Sequence, residues 1–466
     1  MTQILIRVDG TLERFRPEID YVLDVLRQWI GIPFLCLDEN SQACANIEYS
    51  RKPSGSGIWI RECFFSKGCQ IGKDGLELVR DWRTLILAEN ESVDCLGEPV
   101  LPLFAEEKLQ SYVRSPAETE AGWEIHFDLL GAIFFQLSRI EELEEVERDH
   151  YGRFSPDQSL AFRLNFLHRP EADRHADLLR RVLKECGWVG ASTKKPRVFL
   201  THDVDRLLSF HSIRHLAREV VGNIFRSRET IPKALSGAFR QLTDGEPFTS
   251  ARWLMDRAEE NGVECRFFFM AGTRHPIDAD YAYRWREKLT EVSAEITDRG
   301  HRIGIHPGFE TWKDPDQWVL QKRALEEILN RPILEGRQHV LRFHPHTWEA
   351  WELAGMERDF SLAYPAGVCY RAGTTRSFPA YGLRTRRAFK LEVTPTAIME
   401  FALFMTKYTK LTRKEALDLV ASAVGDHRRY CGDLAVLFHP VTVMKMKEEY
   451  LATLREVFRN DCSCSA

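Results

Sequence analysis

Two carboxylates follow an apolar run of strand type near the middle of the chain. Residues 197–205 read RVFLTHDVD, so Asp203 and Asp205 come at the end of this run. Because residues i and i+2 of a strand point to the same face, the two carboxylates would emerge side by side, with His202 facing away. Asp residues after a strand also form turns or cap helices. The pair is nonetheless typical of a site that holds a metal ion and a general base.

Six further apolar runs of strand length follow, and five of them end in or next to polar residues that could take part in catalysis. The five span residues 302–307, 339–346, 360–365, 389–395 and 434–440, and the sixth spans 264–273. Helix-like segments separate most of them, at residues 250–262, 283–300, 314–330, 347–355 and 412–430. This alternation predicts an α/β fold, a distorted (β/α) barrel of about seven parallel strands. Active sites of such barrels lie at the carboxyl ends of the strands.

The order of four motifs resembles that of the polysaccharide deacetylases, the NodB-homology carbohydrate esterases. The motifs are THDVD, GHRIGIHP, LRFHPHTW and VLFHP, between residue 196 and about residue 443. The preceding region resembles the N-terminal domain of one bacterial subgroup of these proteins, in FDLLGAIFFQLSRIEE and RDHYGRF. That subgroup also carries GRQHVLRF and YRAGT. We therefore expect an N-terminal α+β domain over residues 1–190, a deacetylase-like barrel over 196–458 and a disordered tail over 459–466.

The resemblance implies roles for the residues at the motif positions. Asp203 would be the general base, and Asp205 would bind a divalent metal, for which zinc is the expected ion. Val204 separates the two here, whereas the family motif has adjacent Asp residues. Strand alternation makes the wider spacing workable, because it keeps both carboxylates on one face. His306 would be the second metal ligand.

The third ligand departs from the family pattern. The family supplies two histidines four residues apart, but Glu310 stands at the second position. His339, in GRQH, is the preferred third ligand because that motif belongs to the resembling subgroup. His344, His346 and Glu310 remain open, since His nitrogen and carboxylate oxygen can both bind zinc.

Three further residues complete the expected site. Arg342 matches an arginine that would orient the catalytic Asp by a charge-assisted hydrogen bond. His439 matches the histidine that serves as general acid toward the leaving amine. Arg371, in YRAGT, would contact the substrate or brace a loop. With a metal to polarise the carbonyl, these roles amount to removal of an N-acetyl or other amide-linked acyl group from a sugar, glycan or glycan precursor.

Two other functions are compatible with the sequence. The Glu310 position and the altered Asp spacing would fit a barrel that has lost its metal and serves as a carbohydrate-binding or complex-forming subunit. The same catalytic groups would also cleave a formamide or a cyclic imide.

Composition and charge limit the compartment and the partners. Charged residues at positions 7, 9, 13 and 14 interrupt any signal-peptide core, and no apolar run approaches the length of a membrane span. Eleven cysteines without a CxxC pair are typical of reduced thiols in the cytoplasm, where the substrate would be a glycan precursor. The net charge of −5 gives no reason to expect nucleic-acid binding. The basic segment 206–240 is expected to be the solvated side of a helix pair, with contact to the phosphates of a glycan precursor or to an anionic membrane surface as the alternatives.

Two short segments and one acidic run are expected to be structural. PSGSG, at residues 53–57, is predicted to be a turn and GASTKKP, at residues 190–196, a linker. The acidic run 141–147 is predicted to be a solvated helix end. The sequence does not predict an oligomeric state.

Overall fold

The structure is a computed structural model. It describes residues 3–37, 41–53, 57–86, 92–119, 121–190, 195–207, 230, 232, 247–272, 275–279, 281–365, 367–405 and 409–459. These residues form one main sheet in each half of the chain and two short antiparallel hairpins. None of the described helices is long and apolar enough to cross a membrane.

The first half contains ten described strands and five α-helices. The strands are β1 (Ile4–Val8), β2 (Phe34–Cys36), β3 (Ile47–Ser50), β4 (Ile58–Arg61), β5 (Cys69–Gly72), β6 (Gly75–Leu78), β7 (Ser92–Val93), β8 (Pro99–Val100), β9 (Val113–Arg114) and β10 (Trp123–Ile125). The helices are α1 (Arg16–Ile30), α2 (Pro116–Thr119), α3 (Leu129–Ser138), α4 (Leu160–Arg163) and α5 (Glu171–Glu185). The main sheet has the order β2-β1-β3-β4-β10-β9, and all its pairs are parallel except β9 with β10.

The second half forms a nine-stranded sheet in the order β16-β17-β15-β14-β13-β12-β11-β19-β18. All its neighbours are parallel except the edge pair β16 and β17. The strands are β11 (Val198–Val204), β12 (Cys265–Phe269), β13 (Arg302–Ile305), β14 (Glu335–Gly336), β15 (Arg358–Asp359), β16 (Phe378–Gly382), β17 (Arg387–Val393), β18 (Thr396–Met399) and β19 (Leu434–Leu437).

Helices lie between most of these strands, as a parallel sheet requires. They are α6 (Pro247–Glu260), α7 (Tyr281–Arg284), α8 (Arg286–Asp298), α9 (Pro315–Leu329), α10 (Thr347–Leu353), α11 (Glu400–Phe404), α12 (Arg413–Arg429), α13 (Pro440–Val443) and α14 (Lys447–Val457). Local sequence explains several boundaries. In α12, Thr412 and Glu415 form a reciprocal capping box, which satisfies backbone N–H groups at the first turn. In α9, Asp314 caps the first turn and Pro315 begins the helix.

The second sheet is curled, as one side chain that reaches across its concave face shows. Arg337 follows β14, yet it donates to Thr201 Oγ1 in β11 at 2.7 Å and to Thr396 Oγ1 in β18 at 3.1 Å. These strands lie three and five positions away from β14 in the sheet order. Below this arginine the interior is filled by Phe199, Phe268 and other buried apolar side chains. The interior is therefore a packed core that carries polar groups at its carboxyl end.

Two close approaches between β13 and β14 explain glycines in these strands. A Cβ on Gly336 would lie 2.2 Å from the carbonyl oxygen of Ile305, and one on Gly304 would lie 2.3 Å from that of Glu335. Both distances are far inside van der Waals contact. Glycine therefore allows the strand that carries Arg337 to pack against the strand that ends before His306.

The predicted α/β character is confirmed, and the strand predictions differ in accuracy. The runs at 197–205, 264–273, 302–307, 389–395 and 434–440 each contain a strand. The prediction for 339–346 is wrong, because residues His339–Leu341 form a 3-10 turn and the strand lies earlier, at β14. The strand predicted at 360–365 is likewise displaced, to β15. The edge strand β16 and the strand β18 were not predicted, so the sheet has nine strands instead of about seven.

The five predicted helices of the second half are confirmed with small shifts in their ends. The segments 250–262, 283–300, 314–330, 347–355 and 412–430 correspond to α6, α8, α9, α10 and α12. Four predictions fall wholly or partly on residues outside the described ones. They concern residues 54–56 of PSGSG, 191–194 of the linker, most of 206–240 and the tail from residue 460.

Side chains from the two halves pack against each other through buried polar contacts. Tyr381 donates to Glu18 at 2.8 Å, and Thr375 donates from its hydroxyl to Asp173 at 2.6 Å. Arg371 donates to both carboxylate oxygens of Glu142, at 2.9 and 2.6 Å. The prediction of a solvated acidic run is therefore wrong at its start, because Glu141 and Glu142 are buried. The hydrogen bonds from Arg371 offset the desolvation cost of burying the Glu142 carboxylate.

Candidate metal centre

The carboxyl ends of β11, β13 and β19 bring the predicted catalytic residues together. Asp203 is the penultimate residue of β11 and Asp205 follows that strand, whereas His306 follows β13 and His439 comes after β19. His306 Nε2 lies 3.5 Å from Asp205 Oδ1 and 3.9 Å from Asp203 Oδ2. His439 Nε2 lies 3.9 Å from Asp203 Oδ2 and 3.9 Å from Asp205 Oδ2. Four side chains from three strand ends thus meet at one point.

A possible ligand set for a metal lies at this point. One ligand atom each of Asp205, His306 and His339 lies within 4.8 Å of the other two. His306 uses Nδ1 in a 2.6 Å hydrogen bond with the carbonyl oxygen of Arg337, and His339 uses Nδ1 in a 2.5 Å contact with Asp278. The Nε2 atoms therefore remain for an ion. Such partners on the second nitrogen orient imidazole ligands in metal sites.

An unsatisfied oxygen shows that these residues fit a divalent cation. Asp205 Oδ1 is buried and has no hydrogen-bond partner. Its neighbour His306 Nε2, at 3.5 Å, is beyond ordinary hydrogen-bond length. One carboxylate and two imidazoles form a common donor set for zinc with an open coordination position. The residues present therefore fit a divalent metal ion.

Asp203 is buried and held in its ionised form. Arg337 Nη1 donates to Asp203 Oδ1 at 2.7 Å, and neither side chain is appreciably exposed. Burial alone would raise the pKa of Asp203, but the positive charges of Arg337, His306 and His439 outweigh it and lower the pKa below the ordinary value. The carboxylate is therefore suited to accept a proton.

Arg337, and not Arg342, orients Asp203. The Arg342 guanidinium lies 3.9 Å from the centre of the Phe309 ring and donates to the Phe309 carbonyl oxygen at 3.0 Å and to Glu310 at 3.3 Å. The prediction for Arg342 assumed that residues 339–346 continue as a strand. The turn at His339–Leu341 interrupts the expected strand, so Arg342 does not point at Asp203. Arg337, five residues earlier, does.

His439 is paired with a buried glutamate that the sequence did not single out. Its Nδ1 lies 2.6 Å from Glu400 Oε1, and its backbone N–H donates to the same oxygen at 2.7 Å. The Phe401 ring stacks on the imidazole, with 4.3 Å between centroids. Burial opposes the charged form, but the Glu400 carboxylate outweighs it and raises the pKa of His439 to about 9. The pairing with Glu400 therefore favours the protonated, proton-donating form of His439.

The other candidates for the third ligand lie outside the cluster. Glu310 pairs with Lys313 at 2.8 Å and with Arg342 at 3.3 Å. The His344 and His346 rings pack on each other, with 5.0 Å between centroids. Among the described residues, His339 is therefore the ligand candidate that joins Asp205 and His306.

His202 and Arg371 are buried, and both make contacts that hold parts of the fold together. His202 lies on the opposite face of β11, where its Nδ1 is 2.7 Å from the Phe438 carbonyl oxygen and its ring packs on Phe267. The prediction that it faces away from the site is confirmed. Arg371 is buried against Glu142 and the Ala363 carbonyl oxygen. These contacts match the bracing role, one of the two predicted for Arg371, and the side chain is 3% exposed.

Sequence reasoning missed Arg337, Asp278 and Glu400. Arg337 stands within the motif GRQHVLRF, two residues before His339, but nothing in the sequence indicated that β14 ends at Gly336. Asp278 follows a segment without clear periodicity, and Glu400 begins the short helix α11. No spacing within the sequence links these two acids to His339 and His439.

Comparisons with known proteins give a family match in the first half of the chain and partial likenesses to solved structures. Residues 10–187, well under half of the chain, match the model of a family of unknown function, DUF7033. No curated protein matches the chain in sequence.

Three solved structures illustrate the partial likenesses, each over 57% of this chain. A Mycobacterium smegmatis protein assigned as a polysaccharide deacetylase is 18% identical over 85% of its own length, with a TM-score of 0.39. A CE4 family pseudoenzyme from Bacillus anthracis is 12% identical over 63% of its length, with a TM-score of 0.30. A Bacillus cereus polysaccharide deacetylase is 9% identical over 86% of its length, with a TM-score of 0.27. The chemistry of this chain therefore rests on its own site residues.

Proposed function

We propose that the protein is a metal-dependent hydrolase that removes an N-acetyl or other amide-linked acyl group from a sugar, glycan or glycan precursor. The observation that carries the proposal is the pairing of opposite charges beside the ligand set. Arg337 donates to Asp203 and favours its ionised form, and Glu400 pairs with His439 and favours its protonated form. A base and an acid that flank one metal position are the groups that amide hydrolysis needs.

The residues of the chain divide the proton transfers between them. A bound divalent ion, zinc by its donor set, supplies Lewis acidity toward the amide carbonyl. Asp203 accepts a proton from the attacking water at the oxygen that Arg337 does not occupy. His439 donates its Nε2 proton to the departing nitrogen, and Glu400 keeps that proton in place at neutral pH. Arg337 and Glu400 thus fix which group is the base and which is the acid.

The sugar part of the proposal comes from the motifs. THDVD, GHRIGIHP and VLFHP, in the order found in polysaccharide deacetylases, supply Asp203, Asp205, His306 and His439. We assign these residues to a barrel domain over 196–458, preceded by an accessory domain over 1–190. The cytoplasm is the proposed compartment, with a glycan precursor as substrate.

The test combines metal analysis with turnover of N-acetylated sugars, measured as released amine or acetate. Asp203→Asn should abolish turnover and retain the metal, because Asp203 is assigned as the base and Asp205 as the ligand. His306→Ala should lose both. Arg163→Met, at an exposed position of α4, serves as the control. Wild-type turnover by Asp203→Asn would refute the assignment of the base.

A further inference from the structure

A backbone turn with two left-handed residues follows the candidate ligand His339. Val340 and Leu341 have φ angles of 51° and 56°. Left-handed backbone is unfavourable for residues with a Cβ and most of all for a β-branched residue such as Val340. Conformations of this kind persist where surrounding contacts impose them. The contacts that hold this turn therefore bear on the position of His339.

One of these contacts comes from the other half of the chain. Arg153 Nη1 donates to the Val340 carbonyl oxygen at 2.8 Å, across 187 residues of sequence. The guanidinium is itself fixed, because Arg153 Nε donates to Asp149 Oδ2 at 2.7 Å. Arg153 is buried, so water does not readily replace its hydrogen bond to the turn.

The loop that carries Arg153 is shaped to the same surface. Asp149 Oδ1 accepts from the backbone N–H groups of Tyr151 and Arg153, both at 2.9 Å, which closes the loop. Gly152 has a φ of 74°, and a Cβ at this position would lie 3.0 Å from Arg342 Nη2. The Tyr151 ring packs edge-on to Phe309, with 6.2 Å between centroids. The loop 149–153 therefore approaches Phe309 and Arg342 as well as the Val340 carbonyl oxygen.

We propose that Arg153 is a positioning residue for the metal ligand His339, so that the loop 149–153 completes the metal centre. This inference rests on the proposed function, since it assumes that Asp205, His306 and His339 bind an ion. His339 has two supports of different kinds. Asp278 orients its imidazole through Nδ1, and Arg153 fixes the peptide that follows it. Loss of Arg153 leaves the ligand present but releases the backbone that aims it.

The experiment measures zinc affinity of the full-length protein by competition with a chromophoric chelator. Arg153→Met keeps much of the side-chain volume and removes the donors. Because loss of groups that orient a ligand weakens metal sites by about ten- to a hundred-fold, we expect a loss of affinity in that range. Arg148→Met is the matched control. Arg148 lies in the same segment and donates to the carbonyl oxygens of Glu142 and Glu144, away from the turn.

A rescue variant separates positioning from general destabilisation. Glycine adopts positive φ freely, so Val340→Gly added to Arg153→Met should recover much of the lost affinity. Thermal unfolding of the metal-free proteins shows whether stability changes in parallel. If Arg153→Met fails to fold, Arg153→Lys is compared with and without Val340→Gly, because lysine has one nitrogen in place of the two that Arg153 uses toward Asp149 and Val340.

The outcomes distinguish the inference from the proposed function. Weaker zinc binding in Arg153→Met, wild-type binding in Arg148→Met and recovery with Val340→Gly would support the positioning role. Wild-type affinity in Arg153→Met, an equal loss in Arg148→Met, or no recovery would overturn it while the metal site stands. Absence of zinc binding in the wild type would overturn the proposed function, and the inference with it.

Discussion

At the scale of single residues, the neighbours of Asp203 and His439 decide their charges. Arg337 stabilises the Asp203 carboxylate, and Glu400 stabilises the His439 imidazolium. Both pairs are buried, so each interaction is screened less than at a surface. An aspartate and a histidine in other surroundings would titrate much closer to each other. The partners therefore create the division into base and acid.

Replacement of Glu400 should reveal this division in the pH profile. Glu400 raises the pKa of His439, so Glu400→Gln should lower it. Because the proposed mechanism uses the protonated form of His439, activity should be lost as the pH rises through that pKa. The alkaline limb of turnover against pH should therefore move to lower pH in the variant. An unmoved limb would show that His439 is not the acid.

Replacement of Arg337 should cost stability as well as activity. Arg337→Met leaves the buried Asp203 without its partner, and breaking a buried pair on one side costs about 3–5 kcal/mol. Urea unfolding of the metal-free protein measures this loss. Arg342→Met is the comparison, because Arg342 pairs with the more exposed Glu310. A larger loss in Arg342→Met than in Arg337→Met would contradict the assignment of Arg337 as the partner of Asp203.

At the scale of elements, glycines in adjacent strands allow the close approach that places Arg337 and His306. Gly336→Ala would bring a Cβ to 2.2 Å from the Ile305 carbonyl oxygen, with backbone as the obstacle. We expect a loss of about 1–3 kcal/mol in the free energy of unfolding, as for overpacked cores. Gly425→Ala in α12, where nothing lies within 4 Å of the added Cβ, should instead stabilise by about 0.5–1 kcal/mol. Equal effects in urea unfolding would contradict this reading of β13 and β14.

Regular elements explain which parts of the site could be predicted. Asp203, Asp205, His306 and His439 follow apolar runs that form strands, so alternation and strand order bring them to one edge. The directions in which Arg337 and Arg342 point could not be predicted. The turn between them places Val340 and Leu341 at positive φ, which such residues rarely adopt. Glu400 was missed for a different reason. It follows β18, an unpredicted strand of four residues.

At the scale of the whole molecule, buried polar groups couple the two halves. Glu142 and Asp173 in the first half accept from Arg371 and from Thr375 in the second, and Arg153 reaches the ligand turn. The sequence could not predict these pairs, since each joins residues far apart in the chain. A run of acidic residues is more often solvated, and only the fold shows which of its members are buried.

Buried neutral histidines should make the stability of the whole fold depend on pH. Burial lowers the pKa of His427 to about 4, and its Nδ1 donates to the Ala423 carbonyl oxygen. In the unfolded chain its pKa is about 6.5, so below that pH the unfolded state takes up a proton that the folded state excludes. Stability is thus fully present above pH of about 6.5 and is lost as the pH falls toward 4. At pH 5 the loss is about 2 kcal/mol for this residue.

A variant isolates this contribution, because other groups act in the opposite sense. Burial raises the pKa of Glu141 to about 7, so this carboxyl favours the folded state as the pH falls. His427→Gln retains a hydrogen-bond donor and does not titrate. Its loss of stability between pH 7.5 and pH 5, from urea unfolding, should be smaller than the wild-type loss by about 2 kcal/mol. An equal loss in both proteins would show that His427 is not held neutral.

The central claim is that Asp205, His306 and His339 hold a catalytic ion, and metal content tests it most directly. Elemental mass spectrometry would be applied to the wild type and to His306→Ala, both purified without added metal. We predict about one zinc or similar divalent ion per chain in the wild type and its loss in the variant. A wild-type protein that holds no ion, even after reloading with zinc, would contradict the account and favour a metal-free carbohydrate-binding subunit.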